Sequence, residues 1–337
     1  MSPIPRIWTA DRGDAGLRID LVLRRHLTDL RTATRTRVQA WIEDGQVTIN
    51  GARVRRVARR AAFGDIVSVL LPADLPAPLV MMPEDVGLHV LLEDDHLLVL
   101  NKPAGMVVHP TYKHTAGTLM NALLWRAREW PAPQRPSLVG RLDKLTSGIT
   151  LVAKTASMHT ALQRALASST AEKDYLAVVY GRVNVARGEI ASNIAHDPSD
   201  RRKRMASDTA GAPSLTRFER LARVAAPRTG LSLLQCRLVT GRTHQIRVHL
   251  SSKGWPIVGD PTYGEPRWAR VTDPQLAATL QRFPRQALHA WRLAFVHPVT
   301  RATVHLEAPV PADMRDLLRV SGLEPLFDAA VARRAST

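Results

Sequence analysis

The stretch "PADLPAPLVMMPED", residues 72–85, sets four prolines before Glu84 and breaks every hydrophobic period around it. Proline has a fixed φ and no amide hydrogen, so neither a helix nor a central strand runs through such a segment. A chain of 337 residues divided there buries a small core before the break and a larger one after it. The expected organisation is an N-terminal extension (1–15), a compact domain (16–72), a linker (73–87), a second domain (88–312) and a C-terminal tail (313–337).

Before the break, "LRIDLVLRRHLT" and "TRTRVQAWIEDG" read as two amphipathic helices. "QVTINGARV" and "DIVSVLL" then alternate like short strands, with Asn50-Gly51 supporting a tight hairpin. Beyond the break, β-type runs ("HLLVLNK", "ITLVAK", "DYLAVVYG", "LSLLQCRLV", "RLAFVHP", "TVHLEAP") are separated by irregular stretches. The best helices there are 118–128, 157–168 and 243–253, the last with Thr243 as N-cap and Gly254 just past its end. Irregular spacing without βαβ units favours an α+β class: a mixed, largely antiparallel sheet with flanking helices and a central cleft.

An excess of 47 basic over 30 acidic residues leaves a formal charge of +17, which favours a polyanionic partner, nucleic acid first. A GC-rich coding bias toward Arg would produce the same surplus. The lone Cys236 excludes a disulfide framework and CxxC-type zinc or redox sites. The closest histidine sets (His109 and His114, His244 and His249) are spaced so that neither pair shares one face of a helix or strand, so no metal site is expected. "MSPIPRIWTADRGDAG" has prolines and early acids where a signal peptide needs an apolar core, and no apolar run approaches membrane-spanning length. A soluble, cytoplasmic, cofactor-free protein acting as a monomer is expected.

In "GRLDKLTSGITLVAKT", Asp143 stands between Arg141 and Lys144 with no second acid or histidine beside it. Taken alone, such an Asp is a surface ion pair or turn residue. Its company changes that: "NKPAGMVVHP" precedes it, and "AEKDYLAVVYG", "LVTGRTHQIRVHLSSKGWPIVGDPTYG" and "RQALHAWRLAFVHP" follow in order. This succession, over about residues 88–312, resembles the RluA-type family of RNA pseudouridine synthases. The preceding segment resembles the S4 RNA-binding domain, through Arg18, Asp20, Leu23 and the Val47-to-Gly51 hairpin.

The resemblance implies that Asp143 is the catalytic aspartate, that Arg141 helps extrude the target nucleotide, that Tyr175 stacks on the uracil and that Arg247 pairs with the aspartate. Two positions depart from the family pattern: Gly140 stands where histidine is usual and Leu145 where an acid is usual. The chemistry explains a solitary carboxylate. Pseudouridine formation breaks the N1–C1′ bond, turns the base and rejoins it through C5, and no water or cosubstrate enters. A glycosidase needs a second carboxylate because its leaving group departs and water replaces it. Here one Asp can attack C1′, or take the 2′ proton to give a glycal, and be regenerated. A cation in contact with it, Arg247, would hold it ionised.

Pattern alone also allows Tyr175 to be a half-buried strand aromatic and Arg247 an exposed helix residue. Lys144 offers charge for adjacent phosphates; Lys102 is read as mainly structural. Arg24, Arg25, Arg31, Arg35 and Arg37 could form a phosphate-binding face on the small domain, and Arg202 and Lys203 in "DPSDRRKRMAS" could touch RNA backbone. Solvated basic surface is the plain alternative for both. The expected substrate is 23S-type ribosomal RNA or a ribosome precursor, with transfer RNA as the alternative. Two competing readings remain: a catalytically silent RNA-binding or ribosome-assembly protein, kept open by Gly140, and a nucleoside hydrolase, which should show clustered acids.

Overall fold

In the computed structural model, which describes residues 4–27, 30, 33–72, 81–110, 115–200, 202–225 and 230–335, the chain divides between Met81 and Met82 into two units. Expected features at Arg31, His114, Arg201 and most of the linker (73–80) lie outside the described residues.

The first unit runs β1 (Ile4–Thr9), α1 (Ile19–His26), α2 (Arg35–Glu43), β2 (Val47–Ile49), β3 (Ala52–Val54) and β4 (Ile66–Leu71). Its sheet is antiparallel in the order β1-β4-β2-β3. The apolar stripes of the helices bury Val22, Leu23, Val38, Trp41 and Ile42 with Val47, Val67 and Val69 of the sheet. The hairpin turn has φ of 51° at Asn50 and 80° at Gly51, the left-handed pair that a two-residue turn of this hand requires. The expected extension over 1–15 is corrected here: β1 pairs with β4 from Ile4↔Leu71 to Thr9↔Ile66 and is part of the sheet. Pro5 disguises the strand in the sequence, yet an edge strand tolerates proline because one row of its amides has no ladder to join.

The second unit begins with β5 (Val90–Glu93), β6 (Leu97–Lys102), α3 (Leu119–Arg126), β7 (Ser137–Val139), β8 (Ser147–Ala153), α4 (Ala156–Ala167) and β9 (Glu172–Tyr180). It continues through β10 (Arg187–His196), β11 (Arg204–Ser207), β12 (Ala212–Val224), β13 (Leu231–Leu238), α5 (Gln245–Ser252), α6 (Pro274–Arg282), β14 (Leu288–Val296), β15 (Thr303–Glu307), α7 (Ala312–Val320) and α8 (Glu324–Ala335). Its sheet runs β11-β10-β12-β13-β9-β14-β8-β6-β5, with β15 added on β14 and β7 on β8. Every described pairing is antiparallel except β14 with β8, where His289 faces Ser147 and Ala290 faces Gly148. None of the described helices is long and apolar enough to cross a membrane.

That parallel pair explains the glycine of "TSG". Gly148 has φ of 111°, and a Cβ built on it would stand 2.1 Å from the Ala290 carbonyl oxygen. Gly148→Ala is therefore expected to cost roughly 2–4 kcal/mol, from left-handed strain and overpacking. Denaturant unfolding measures it; a loss under about 0.5 kcal/mol would contradict the reading.

Three further expectations need correction. The C-terminal tail is core: α7 and α8 bury Met314, Leu317, Leu318, Leu323 and Phe327 in the main hydrophobic cluster, where the Phe327 ring meets Trp291 at 5.7 Å. Residues 82–87 belong to the second unit, since Met82 O accepts from Asn121 Nδ2 at 2.7 Å and Glu84 Oε2 from the Gly117 amide at 2.7 Å. The N-cap of α5 is His244, not Thr243, because the Gln245 side chain turns back to accept from Arg242 N at 3.0 Å and Thr240 Oγ1 at 2.8 Å, closing the loop one residue later.

Candidate active site

Asp143 lies on the turn joining β7 to β8, closed by Thr146 N bonding back to Asp143 O at 3.0 Å. Neighbouring segments fasten this turn residue by residue. Lys144 O accepts from the Gly105 amide at 2.9 Å and from Lys102 Nζ at 3.1 Å. Leu145 O lies 3.4 Å from Arg285 Nη1, and Thr146 Oγ1 accepts from Gln286 Nε2 at 3.0 Å. Ser147 Oγ is 2.9 Å from His289 Nδ1. Arg285 is itself anchored by a two-pronged bond to Asp313 of α7, at 2.7 and 2.9 Å. The β14 end of the parallel pair thus sets the position of the Asp143 backbone.

Lys102 is buried and also donates to Pro103 O at 2.8 Å and Met106 O at 3.2 Å. Burial, then the charge of Arg285, pulls its ammonium down to about 8, against the opposing influence of Asp143. Because this value lies below the ordinary 10.5, the buried charge lowers stability fully below pH 8, and that loss fades as the pH rises toward 10.5. Wild type should therefore gain about 1–2 kcal/mol on Lys102→Met between pH 8 and 9.5. Unfolding both proteins at each pH tests this, and a constant gap would count against it.

The carboxylate is gripped by a buried cation. Arg247 Nη1 donates to Asp143 Oδ2 at 2.9 Å, while Nε and Nη2 donate to Asp260 at 2.7 and 2.8 Å. The side chains are 28% exposed for Asp143, 5% for Arg247 and 0% for Asp260. Arg247 is thus no exposed helix residue; α5 turns it inward. Asp260 accepts further from the amides of Thr262 at 2.8 Å and Tyr263 at 3.0 Å. Burial opposes charge on both partners, yet mutual hydrogen bonding raises Arg247 above and keeps Asp260 below its ordinary value. Asp143 is the solvent-facing member of the trio.

Tyr175 sits mid-strand in β9, half-buried, between Cys236 of β13 and Ala290 of β14. Burial and then the Asp143 charge push its phenol well above the ordinary range, so it stays protonated. Strand alternation sends Asp174 to the other face, where it accepts from Gln235 and Arg237. Arg141 and Lys144 are exposed on the Asp143 turn. Gly140 has φ of 88° with open space around the missing Cβ, and Leu145 is half-buried.

The other expected RNA contacts divide. Arg24, Arg35 and Arg37 are exposed on the first unit. Arg25 is not available in the same way: it donates to Asp11 at 2.7 and 3.0 Å and to Asp14 at 2.7 Å, so two carboxylates offset its charge. Asp11, Asp14 and His26 are also the one described grouping close enough to share a metal ion, and the Arg25 guanidinium bonds to both of its acids. Arg202 is exposed and paired with Asp200 at 3.0 Å, while Lys203 is half-buried. "DPSDRRKRMAS", expected as a loop throughout, ends as strand β11, because Arg204–Ser207 pairs with the end of β10.

From sequence alone, Asp260 and Tyr263 carry no assigned role, and His244 figures among the histidines weighed for a metal site. Their signal lay in "GRTHQIRVHL" and "GDPTYG", where a polar cluster interrupts otherwise apolar surroundings.

Solved structures share this build. The chain aligns with "Human RNA Pseudouridylate Synthase Domain Containing 1" at a TM-score of 0.53 and 26% identity, over 69% of this chain and 87% of that one, which sets the fold in the pseudouridine synthase class. Residues 96–252 match the RNA pseudouridylate synthase family and residues 18–67 the S4 domain. The chain is 41% identical to the ribosomal large subunit pseudouridine synthase D of Xylella fastidiosa, over 93% of this chain and 91% of that one. Identity to the protein of the same name from Xanthomonas campestris pv. campestris is 40%, over 95% and 93%. This chain belongs to the RNA pseudouridylate synthase family and is an isomerase with an N-terminal S4 domain.

Proposed function

We propose that this enzyme converts uridines of large-subunit ribosomal RNA to pseudouridine, with Asp143 as its single catalytic carboxylate. The observation that carries the reading is the asymmetry of that carboxylate: Oδ2 is held by buried Arg247, while Oδ1 has no hydrogen bond among the described residues. An ionised, half-exposed carboxylate with one oxygen to spare is the group that isomerisation needs. Oδ1 attacks C1′ or takes the 2′ proton, and either route regenerates Asp143 once the base has rejoined through C5. Arg247 holds Oδ2 of Asp143, and Asp260 keeps Arg247 oriented.

The uridine must leave its stack before the sugar is reached. Arg141, exposed two residues from Asp143, suits the wedge, and Tyr175 suits the platform for the extruded base. Exposed Arg24, Arg35 and Arg37 suit phosphate contacts by the S4 domain. The relatives named as large-subunit enzymes support ribosomal RNA over transfer RNA. The intact Asp143–Arg247–Asp260 system speaks against a silent binder that has lost its chemistry.

Uridine and pseudouridine have equal mass, so the test maps carbodiimide adducts, which stop reverse transcription, in ribosomal and transfer RNA from cells with and without the gene. Sites missing from large-subunit RNA, and restored by the gene, are the expected result. Loss confined to transfer RNA would overturn the substrate assignment, and no loss in any RNA would favour the silent binder.

A further inference from the structure

The two oxygens of Asp143 have different neighbours. Arg247 occupies Oδ2, and the group facing Oδ1 is the imidazole of His244, whose Nε2 stands 3.8 Å away. That gap is too wide for a hydrogen bond. By either first step, Oδ1 must approach C1′, or the hydrogen on C2′, to about 3–3.5 Å. The 2′-hydroxyl is bonded to C2′, so it then lies next to Oδ1, within reach of His244 Nε2.

The ring is set up to donate there. Its Nδ1 lies 2.8 Å from the Tyr263 hydroxyl, whose oxygen already accepts the Arg204 amide at 2.8 Å. With the Arg204 amide already on its oxygen, the Tyr263 hydroxyl is assigned as the donor to Nδ1, which places the imidazole hydrogen on Nε2. Tyr263 packs against the ring edge-on, at 5.6 Å between centroids and 74° between planes. Burial, set against the charge of Asp143, keeps the imidazole below its ordinary 6.5, hence neutral at pH 7 with one N–H to offer. His244 also has φ of 59°, a left-handed conformation for a non-glycine residue, and its side chain makes no capping bond to α5. Such strain persists where the surroundings over-determine it, often at functional sites.

We propose that His244 Nε2–H donates a hydrogen bond to the 2′-hydroxyl oxygen of the flipped uridine, making His244 the residue through which the site requires a ribose. The 2′-hydroxyl is the group by which a protein tells RNA from DNA at a given nucleotide. The proposal rests on Asp143 being the reacting carboxylate, and Tyr263 acts through His244 as a positioning residue.

The test uses the full chain and two RNA fragments that differ only in carrying uridine or 2′-deoxyuridine at the target position. Single-turnover rates are measured with wild type, His244→Gln and His244→Phe, and dissociation constants with the same three side chains in an Asp143→Asn background, where no turnover intervenes. Wild type should favour the ribose by at least about tenfold, the effect of one lost hydrogen bond to a built partner. His244→Phe should bring that ratio near one by losing ground on the ribose substrate alone. His244→Gln, which keeps an N–H, should retain part of it. A wild type that does not discriminate, or a Phe variant that discriminates as well as wild type, overturns the proposal. If His244→Phe does not fold, Tyr263→Phe decides: it removes only the hydroxyl that orients the ring, and an undiminished ribose preference overturns the proposal. Failure of wild type to convert even the all-ribose fragment would instead sink the Asp143 reading, and this proposal with it.

Discussion

Asp143→Asn is expected to lower pseudouridine formation by at least about 10³-fold while RNA binding survives, because the amide keeps the shape of the carboxylate but can act as neither nucleophile nor base. Binding should hold or improve slightly, since one negative charge facing the phosphates is gone. Stability should change by no more than about 1 kcal/mol. Removing one partner of a buried ion pair ordinarily leaves a naked charge, but Arg247 keeps its two-pronged contact with buried Asp260, and the Asn carbonyl oxygen can still accept from Nη1. Tritium release from C5-labelled RNA reports activity, filter or anisotropy binding reports affinity, and a melting curve reports the fold. Wild-type rates from a folded Asp143→Asn protein would end the proposed mechanism.

Asp260→Ala is expected to do the opposite kind of damage. Asp260 has no exposed side-chain surface, yet it is the buried counter-charge of Arg247 and the acceptor for the Thr262 and Tyr263 amides. Its removal leaves a guanidinium that is 5% exposed with Asp143 as its sole remaining charged partner among the described residues. The expected destabilisation is about 3–5 kcal/mol, the range for breaking a buried pair on one side. Activity should fall by roughly 10²-fold in protein that is still folded, because Arg247 is no longer held on the side away from Asp143 and the carboxylate loses its fixed attitude. Denaturant unfolding together with single-turnover kinetics at a temperature well below the melting point separates the two effects. A change under about 1 kcal/mol would show that the Arg247–Asp260 pair is solvated rather than buried.

Much of the site was visible as motifs before any geometry. Asp143, Tyr175 and Arg247 were each named from the stretch that carries them, and the structure brings Asp143 and Arg247 into contact across 104 residues of chain. Burial was not legible. From pattern, Arg247 could have been an exposed helix residue, because α5 is only weakly amphipathic and its polar residues Gln245, Arg247 and His249 are buried along with its apolar ones. Arg25 shows the converse: a run of arginines reads as one basic face, but Asp11 and Asp14 fold back onto one member of it. Counting cations in a sequence does not count their counter-ions in space.

Local pattern sufficed wherever the physics is local. Proline chemistry separated two units, Asn50-Gly51 specified a hairpin, period-two alternation marked strands of the first unit, and short apolar runs marked six strands of the second, since backbone restriction and strand preference act over a few residues. Tertiary structure decided the rest. The parallel pairing of β8 with β14, the edge strand β1, the burial of α7 and α8, and the Asp143–Arg247–Asp260–His244 cluster all join segments far apart in the chain. Strand order in the sheet and the exclusion of water from Arg247 and Asp260 set those contacts, and neither leaves a repeating signature along the chain.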